Sequence, residues 1–350
     1  MQFEQNTEDN AEEDFLKKSN PKHLKFLRIL GVLMTIGGIG LFIFFLNRVG
    51  LDEVIEGVKK IGWDGFAIIL IAYLFRVSAR AYCWTFAVYE PYKLSMKDTL
   101  PAVLMGEAMS SLIPMGPIIS GTTKVVAVKR RVPMLVGFSS ITIENLFYTH
   151  MTGLFIISGA VFVLQRYQPE GFWSYAIDGL IVFTAFTIMF GLFIVIKQWH
   201  GLSAVARVAT RLGLFPKFME PVKPKIREFE DMFFNFYRKH PERFMPMVLC
   251  QVAFHSMGIF EVWFILNRIG DSYATLINAF LLESVSRAIN IFFKMVPFLV
   301  GVDEAGSSFV AEILAVGATV GVIVAVVRKG RMVFWTGVGV TLIAIRNLRK

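Results

Sequence analysis

The sequence predicts an all-α polytopic membrane protein, with about six spanning helices plus two re-entrant broken helical hairpins in an inverted repeat. Three observations carry that expectation. Of 350 residues, 55% are hydrophobic and 34 are Phe, and the mean hydropathy is +0.57, more apolar side chain than one soluble core hides without long exposed stretches. Ile29 to Leu46, Gly179 to Ile196 and Ile313 to Val327 run without a charge, and a spanning helix needs about 20 mostly apolar residues. Two further apolar segments are interrupted by Pro, Gly and charged residues.

Taken in order, residues 1–22 read as a disordered cytoplasmic tail, acidic through Asp9, Glu12, Glu13 and Asp14 and without periodic apolar content. Lys22, Lys25 and Arg28 abut the first helix and place the N-terminus in the cytoplasm of a multi-pass cell (inner) membrane protein. That first run exceeds the roughly 7–15-residue core of a signal peptide, and no small-residue cleavage site follows it at Asn47-Arg48, so it reads as retained. A second span runs from about Trp63 to Tyr89. Thr99 to Val128 is broken by Pro114, Gly116, Pro117 and Gly121 and has basic residues on both sides, as a hairpin opening to the cytoplasm would. Leu135 to Leu164 and Ser174 to Ile196 follow. The segment 197–243 carries ten Lys or Arg, a cytoplasmic mark. Within it Ile226, Phe229, Phe233, Phe236 and Tyr237 recur at helical spacing, for a helix lying on the inner leaflet or one packed on the bundle. Phe244 to Leu266 crosses again, Tyr273 to Val327 is the second broken region, and a last helix is expected from about Met332 to Ile345. Residues 23–346 then form one transmembrane domain, with a first repeat at 63–164 and a second at 244–345. This topology leaves Arg328, Lys329 and Arg331 on the outer face, against the usual bias.

Paired Pro/Gly-interrupted segments at corresponding places in two halves are the sequence pointer to a midplane binding site in a transporter. Unwound backbone is tolerated in a membrane only where protein or water satisfies it. Kinks are the bland alternative, but an acid stands near each break, Glu107 before Pro114 and Glu304 after Pro297, and ionisable groups at that depth are rarely kept without a role. Arg76 and Arg80 lie four apart on one helix face, suited to phosphate or to internal pairing with Glu107, Glu144 or Glu283. Glu283 and Arg287 are also four apart and read most simply as an intrahelical pair. His150 reads as a hydrogen-bonded core residue or a proton relay. Cys83 and Cys250 read as buried small residues, and neither His nor Cys spacing suggests a metal site. No nucleotide loop or nucleophile–base pair is visible, so neither an enzyme nor a cofactor is expected, and the basic residues need no nucleic acid to explain them.

These motifs resemble the transmembrane domain of the lysylphosphatidylglycerol synthase/flippase family of bacterial and archaeal membrane proteins. Arg76, Arg80 and Trp84 look like its Arg-x-x-x-Arg motif, and Gly106-Glu107 through Pro114 to Lys124 is similar to its first hairpin. Glu144 matches an acid in the next helix. Pro297, Gly301, Val302, Glu304 and Gly306 look like its Pro-x-x-x-Gly-Val-x-Glu-x-Gly segment. The chain departs from the pattern at Gly121, Asn145 and Tyr148, and it ends soon after the last helix, where two-domain synthases continue into an aminoacyl-transfer domain. The expected ligand is a membrane phospholipid or other amphiphilic, anionic lipid. Its head group would be held by Arg76, Arg80, Glu107, Pro114, Lys124, Glu144, Glu283, Arg287, Pro297, Gly301 and Glu304, and its translocation is the expected function. A membrane-embedded lipid-modifying enzyme, or a subunit presenting lipid to a synthase, is the alternative. A homo-oligomer or a lipid-synthesis enzyme partner is left open.

Overall fold

A computed structural model describes residues 50–348 except 114–115, 169, 213–215, 271–273 and 294–295, together with 37, 39–44 and 47. The expected tail, most of the first apolar run and Pro114 lie outside the described residues. Apolar sequence satisfies its own backbone in lipid only as helix or closed barrel, and the regular elements are all helical: α1 (Leu51–Ala87), α2 (Met96–Leu112), α3 (Gly116–Val128), α4 (Met134–Tyr167), α5 (Phe172–Lys197), α6 (Gly201–Arg211), α7 (Pro216–Lys239), α8 (Phe244–Ile269), α9 (Leu276–Phe292), α10 (Val302–Ile313) and α11 (Ala318–Leu348).

Among the described residues, four helices are long and apolar enough to cross a membrane, Leu51–Ala87, Met134–Tyr167, Ser174–Lys197 and Pro241–Ile269. Inside α1, Gly62 at φ 68° interrupts the helix, so the continuous helical part begins at the expected Trp63. The first broken segment divides into α2, which ends at Leu112, and α3, which starts at Gly116. The second divides into α9, a 3-10 turn at Pro297–Leu299, and α10. Both α2 and α9 start on a hydroxyl: the Ser95 N–H donates to Asp98 Oδ2 at 3.0 Å, and Thr275 Oγ1 accepts from Asn278 N–H at 3.1 Å, partnering orphan donors of the first turn. With 13 and 12 residues, α3 and α10 reach about 20 Å, short of the ~30 Å hydrocarbon core.

The helices α1 to α4 and α8 to α11 share one order, long, short, short, long. They also share one set of neighbours. The helix α1 packs along α8; α2 packs on α3 and α11 as α9 packs on α10 and α4; and α3 meets α4 as α10 meets α11.

Two expectations change here. The last helix begins at Ala318 rather than near Met332, and it carries Arg328, Lys329 and Arg331 within its length instead of in a loop. The uncharged run Ile313 to Val327 is turned at Gly317, φ 100°, before α11 starts. Of the two readings for the helix in the basic segment, packing on the bundle is the one realised. Phe233, Phe234 and Phe236 of α7 are buried, Tyr237 stacks on Phe147 of α4 at 6.1 Å, and Tyr89 donates to the Met232 carbonyl at 3.0 Å. The helix α5 instead turns Phe183, Phe186, Met189 and Phe193 outward, as a lipid-facing span does.

Phe236→Ala is expected to cost about 3 kcal/mol, seen as a lower thermal unfolding midpoint in detergent. An unchanged midpoint would place this face outside the packed core.

Candidate functional site

The charges buried among the helices form two networks. In the first, Arg80 of α1 lies against Glu144 of α4, with Nε donating to Oε1 at 2.9 Å. Its Nη1 donates to Glu107 of α2 at 3.1 Å and its Nη2 to Asn145 at 2.9 Å, while the guanidinium sits 4.4 Å from the Tyr148 ring centre. Lys124 of α3, 2% exposed, reaches the same Glu107 oxygen at 3.3 Å. Asn145 and Tyr148, two of the three departures from the family pattern, are therefore direct partners of Arg80.

The second network centres on Glu283 of α9, 1% exposed. Its carboxylate accepts from Arg76 of α1 at 3.0 Å and closely from Arg287 and Arg328. The expected intrahelical pair is thus one edge of a cluster drawn from α1, α9 and α11. Glu261 of α8 pairs closely with Arg331 and lies 3.8 Å from Arg76. Glu304 accepts from the Gly301 N–H at 2.8 Å and pairs with Lys329, fixing the start of α10; Gly301 at φ 78° takes a conformation that disfavours other residues. Two glycines make room for these pairs: a Cβ at Gly258 would sit 2.6 Å from Glu283 Oε1, and one at Gly106 would sit 2.7 Å from Lys124 Cγ.

Arg76, Arg80, Glu107, Glu283 and Arg287 converge on one cavity of about 200 Å³, walled also by Phe298 and Leu299 of the second break and by Asp303, Arg328 and Arg331. Five arginines face three acids on its wall. The Nε–H groups of Arg76, Arg287, Arg328 and Arg331 are buried and have no hydrogen-bond partner among the described residues. A larger cavity of about 430 Å³ shares Arg80, Glu107, Tyr148 and Ile291 with the first. It is polar at Lys124, Ser120 and Asn145 and apolar at Ile156, Leu180, Phe183 and Phe292. Lys124 lines only this second space, Glu144 stands behind Arg80, and Glu304 and Gly301 shape the break rather than the cavity wall.

Sequence reasoning missed Glu261 and expected Arg328, Lys329 and Arg331 between helices, whereas they lie within α11. Glu261 is the only acid in α8, and Arg328 and Arg331 are three apart on one helix face, signals of the same kind as Arg76 and Arg80. His150, half-buried, lies between the Leu146 and Ile188 carbonyls at 2.8 and 3.2 Å. Cys83 and Cys250 are buried.

A helical bundle with spanning helices, buried ion pairs and cavities at the breaks defines the class, an integral multi-pass membrane protein. Residues 28–340 match the family model described as the lysylphosphatidylglycerol synthase TM region. The chain belongs to that family, as its motifs implied, and is related through it to lipid handling. No curated protein and no solved structure matches it.

Neutralising the acid at the centre of a buried ionic cluster leaves its arginines uncompensated, at a cost of about 3 kcal/mol. Glu283→Gln is expected to lose about that much stability on denaturation in detergent, against about 1 kcal/mol for Glu107→Gln, whose carboxylate is partly open to the cavity. Equal losses would show that the Glu283 cluster is not the stronger tie.

Proposed function

We propose that this protein binds an anionic amphiphilic lipid, with its phosphate in the arginine-walled cavity and its chains along the larger amphipathic one, and moves the head group across the membrane. The observation that carries the reading is the set of buried, unpartnered guanidinium Nε–H groups beside a cavity whose wall holds more arginines than acids. Guanidinium forks match phosphate oxygens in geometry as well as charge. The larger space extends to Phe183 and Phe292 at the lipid-exposed surface, where acyl chains would leave the protein.

In this reading α2–α3 and α9–α10 are re-entrant hairpins of an inverted repeat that meet at the cavity, each too short in its second arm to cross. Rocking of one repeat against the other would expose the cavity to alternate faces. The sequence offers no nucleotide-binding loop, so transport would be downhill or coupled to an ion. Arg76, Arg80 and Arg287 would meet the phosphate, with Lys124 at the entrance from the larger cavity. Glu107 and Glu144 would balance charge or receive a cationic part of the head group, while Glu304 would hold the second break in shape.

The test is reconstitution in liposomes with fluorescent phospholipids of several head groups. Leaflet exchange above that of protein-free liposomes is expected for an anionic head group. Exchange at the protein-free rate for every head group would sink the transport reading, and formation of a new lipid product in that case would favour the lipid-modifying alternative. Arg287→Gln leaves Glu283 held by Arg76 and Arg328, so it is expected to keep its unfolding midpoint while binding the lipid about tenfold more weakly, the loss of one charge-assisted hydrogen bond. Unaltered affinity would remove that arginine from the site.

A further inference from the structure

A third cavity, of about 270 Å³, lies between α2, α3 and the end of α11, apart from the two already described. Met105 and Met109 of α2, Val126 of α3 and Ile343 of α11 make its apolar wall. Lys129 and Arg130, just past the end of α3, and Arg346, in the last turn of α11, are the charged residues on its lining, and no acid is among them. Neighbouring Arg131 is neutralised by Asp98 at 3.2 Å. Lys129, Arg130 and Arg346 have no carboxylate partner among the described residues, and Arg130 and Arg346 stand close enough to repel each other.

A bias of cations toward one membrane face accounts for their presence, but not for their gathering around one apolar groove with no acid between them. Like charges held together are unfavourable unless an anion joins them. The required partner is anionic at the membrane surface and apolar below it. Met side chains, unbranched and adaptable, line the part where a flexible chain would lie.

We propose that this groove is a second, separate lipid site, which takes an acidic phospholipid with its phosphate between Lys129, Arg130 and Arg346 and an acyl chain against Met105, Met109 and Ile343. The occupant bridges the end of α3 to the end of α11. Those two helices carry Lys124 and the Arg328–Arg331 group of the central networks, so a lipid here clamps the first hairpin against α11 without entering the central cavity.

The experiment is photo-crosslinking in nanodiscs with phosphatidylglycerol that carries a diazirine on an acyl chain, followed by peptide mapping. Labelling at Met105, Met109 or Ile343 is expected, and the triple variant Lys129→Gln, Arg130→Gln, Arg346→Gln is expected to reduce it about tenfold while keeping its unfolding midpoint. Arg287→Gln, which reports on the central cavity, is expected to leave the groove labelling intact, so this site stands or falls separately. Equal labelling by the phosphatidylcholine analogue, labelling unchanged in the triple variant, or displacement of the lipid by millimolar inorganic phosphate alone would overturn the proposal.

Discussion

The structure depends on one carboxylate. Glu283 is buried among apolar helices and is held by Arg76 of α1, Arg287 of its own helix and Arg328 of α11. A charge at that depth is tolerated only with opposite charge in contact, and attraction is strong there because little water screens it. Three arginines on one carboxylate overcompensate it. The excess is shared with Glu261, which takes Arg331 and approaches Arg76. The side chain of Gly258 is missing where the pair needs space. These contacts fix how α1, α8, α9 and α11 can sit, while Arg80, Glu144 and Glu107 tie the same α1 to α4 and α2.

Two matched positions of the networks reverse sign between the two groups of four helices. Counted from the helix start, Glu107 of α2 holds the place that Arg287 holds in α9, and Glu144 of α4 holds that of Arg328 in α11. The cavity is bounded by both groups, and each brings both signs to its wall: Arg76, Arg80 and Glu107 from the first, and Glu283, Arg287, Asp303, Arg328 and Arg331 from the second. A guest with a phosphate and an adjacent cationic or hydroxyl group has complementary partners along this mixed wall. A purely apolar guest has none, and it would leave the guanidinium N–H groups desolvated at a cost.

Much of the fold was legible because apolar length and breaker residues act locally. Gly116 opens the second arm of the first broken segment, Pro297 and Gly301 lie between the arms of the second, and the spans starting at Leu135, Ser174 and Phe244 shift by at most a few residues. What was not legible depended on partners far along the chain. Arg328, Lys329 and Arg331 look like a basic loop because a charge triplet ordinarily ends a span, and only Glu283, Glu304 and Glu261 packed against α11 make burial favourable. Glu283 and Arg287 suggest a local pair because helical spacing shows only neighbours on one helix. The aromatic face of α7 was ambiguous for a similar reason: an apolar stripe covers itself equally well with lipid or with α4. Within the candidate site, Arg76, Arg80, Glu107 and Glu144 were recognisable from an arginine pair and apolar context, and their division between two networks was not.

The most direct measurement is a cryo-EM map of the protein in nanodiscs of acidic phospholipid, at a resolution that separates side chains. The account predicts a phosphate-sized peak within hydrogen-bond distance of the Arg76, Arg287 or Arg331 guanidinium, with elongated density running from it past Tyr148 and Ile291 toward Phe292. A cavity collapsed onto direct Arg–Glu pairs, with lipid density confined to the outer surface, would contradict it.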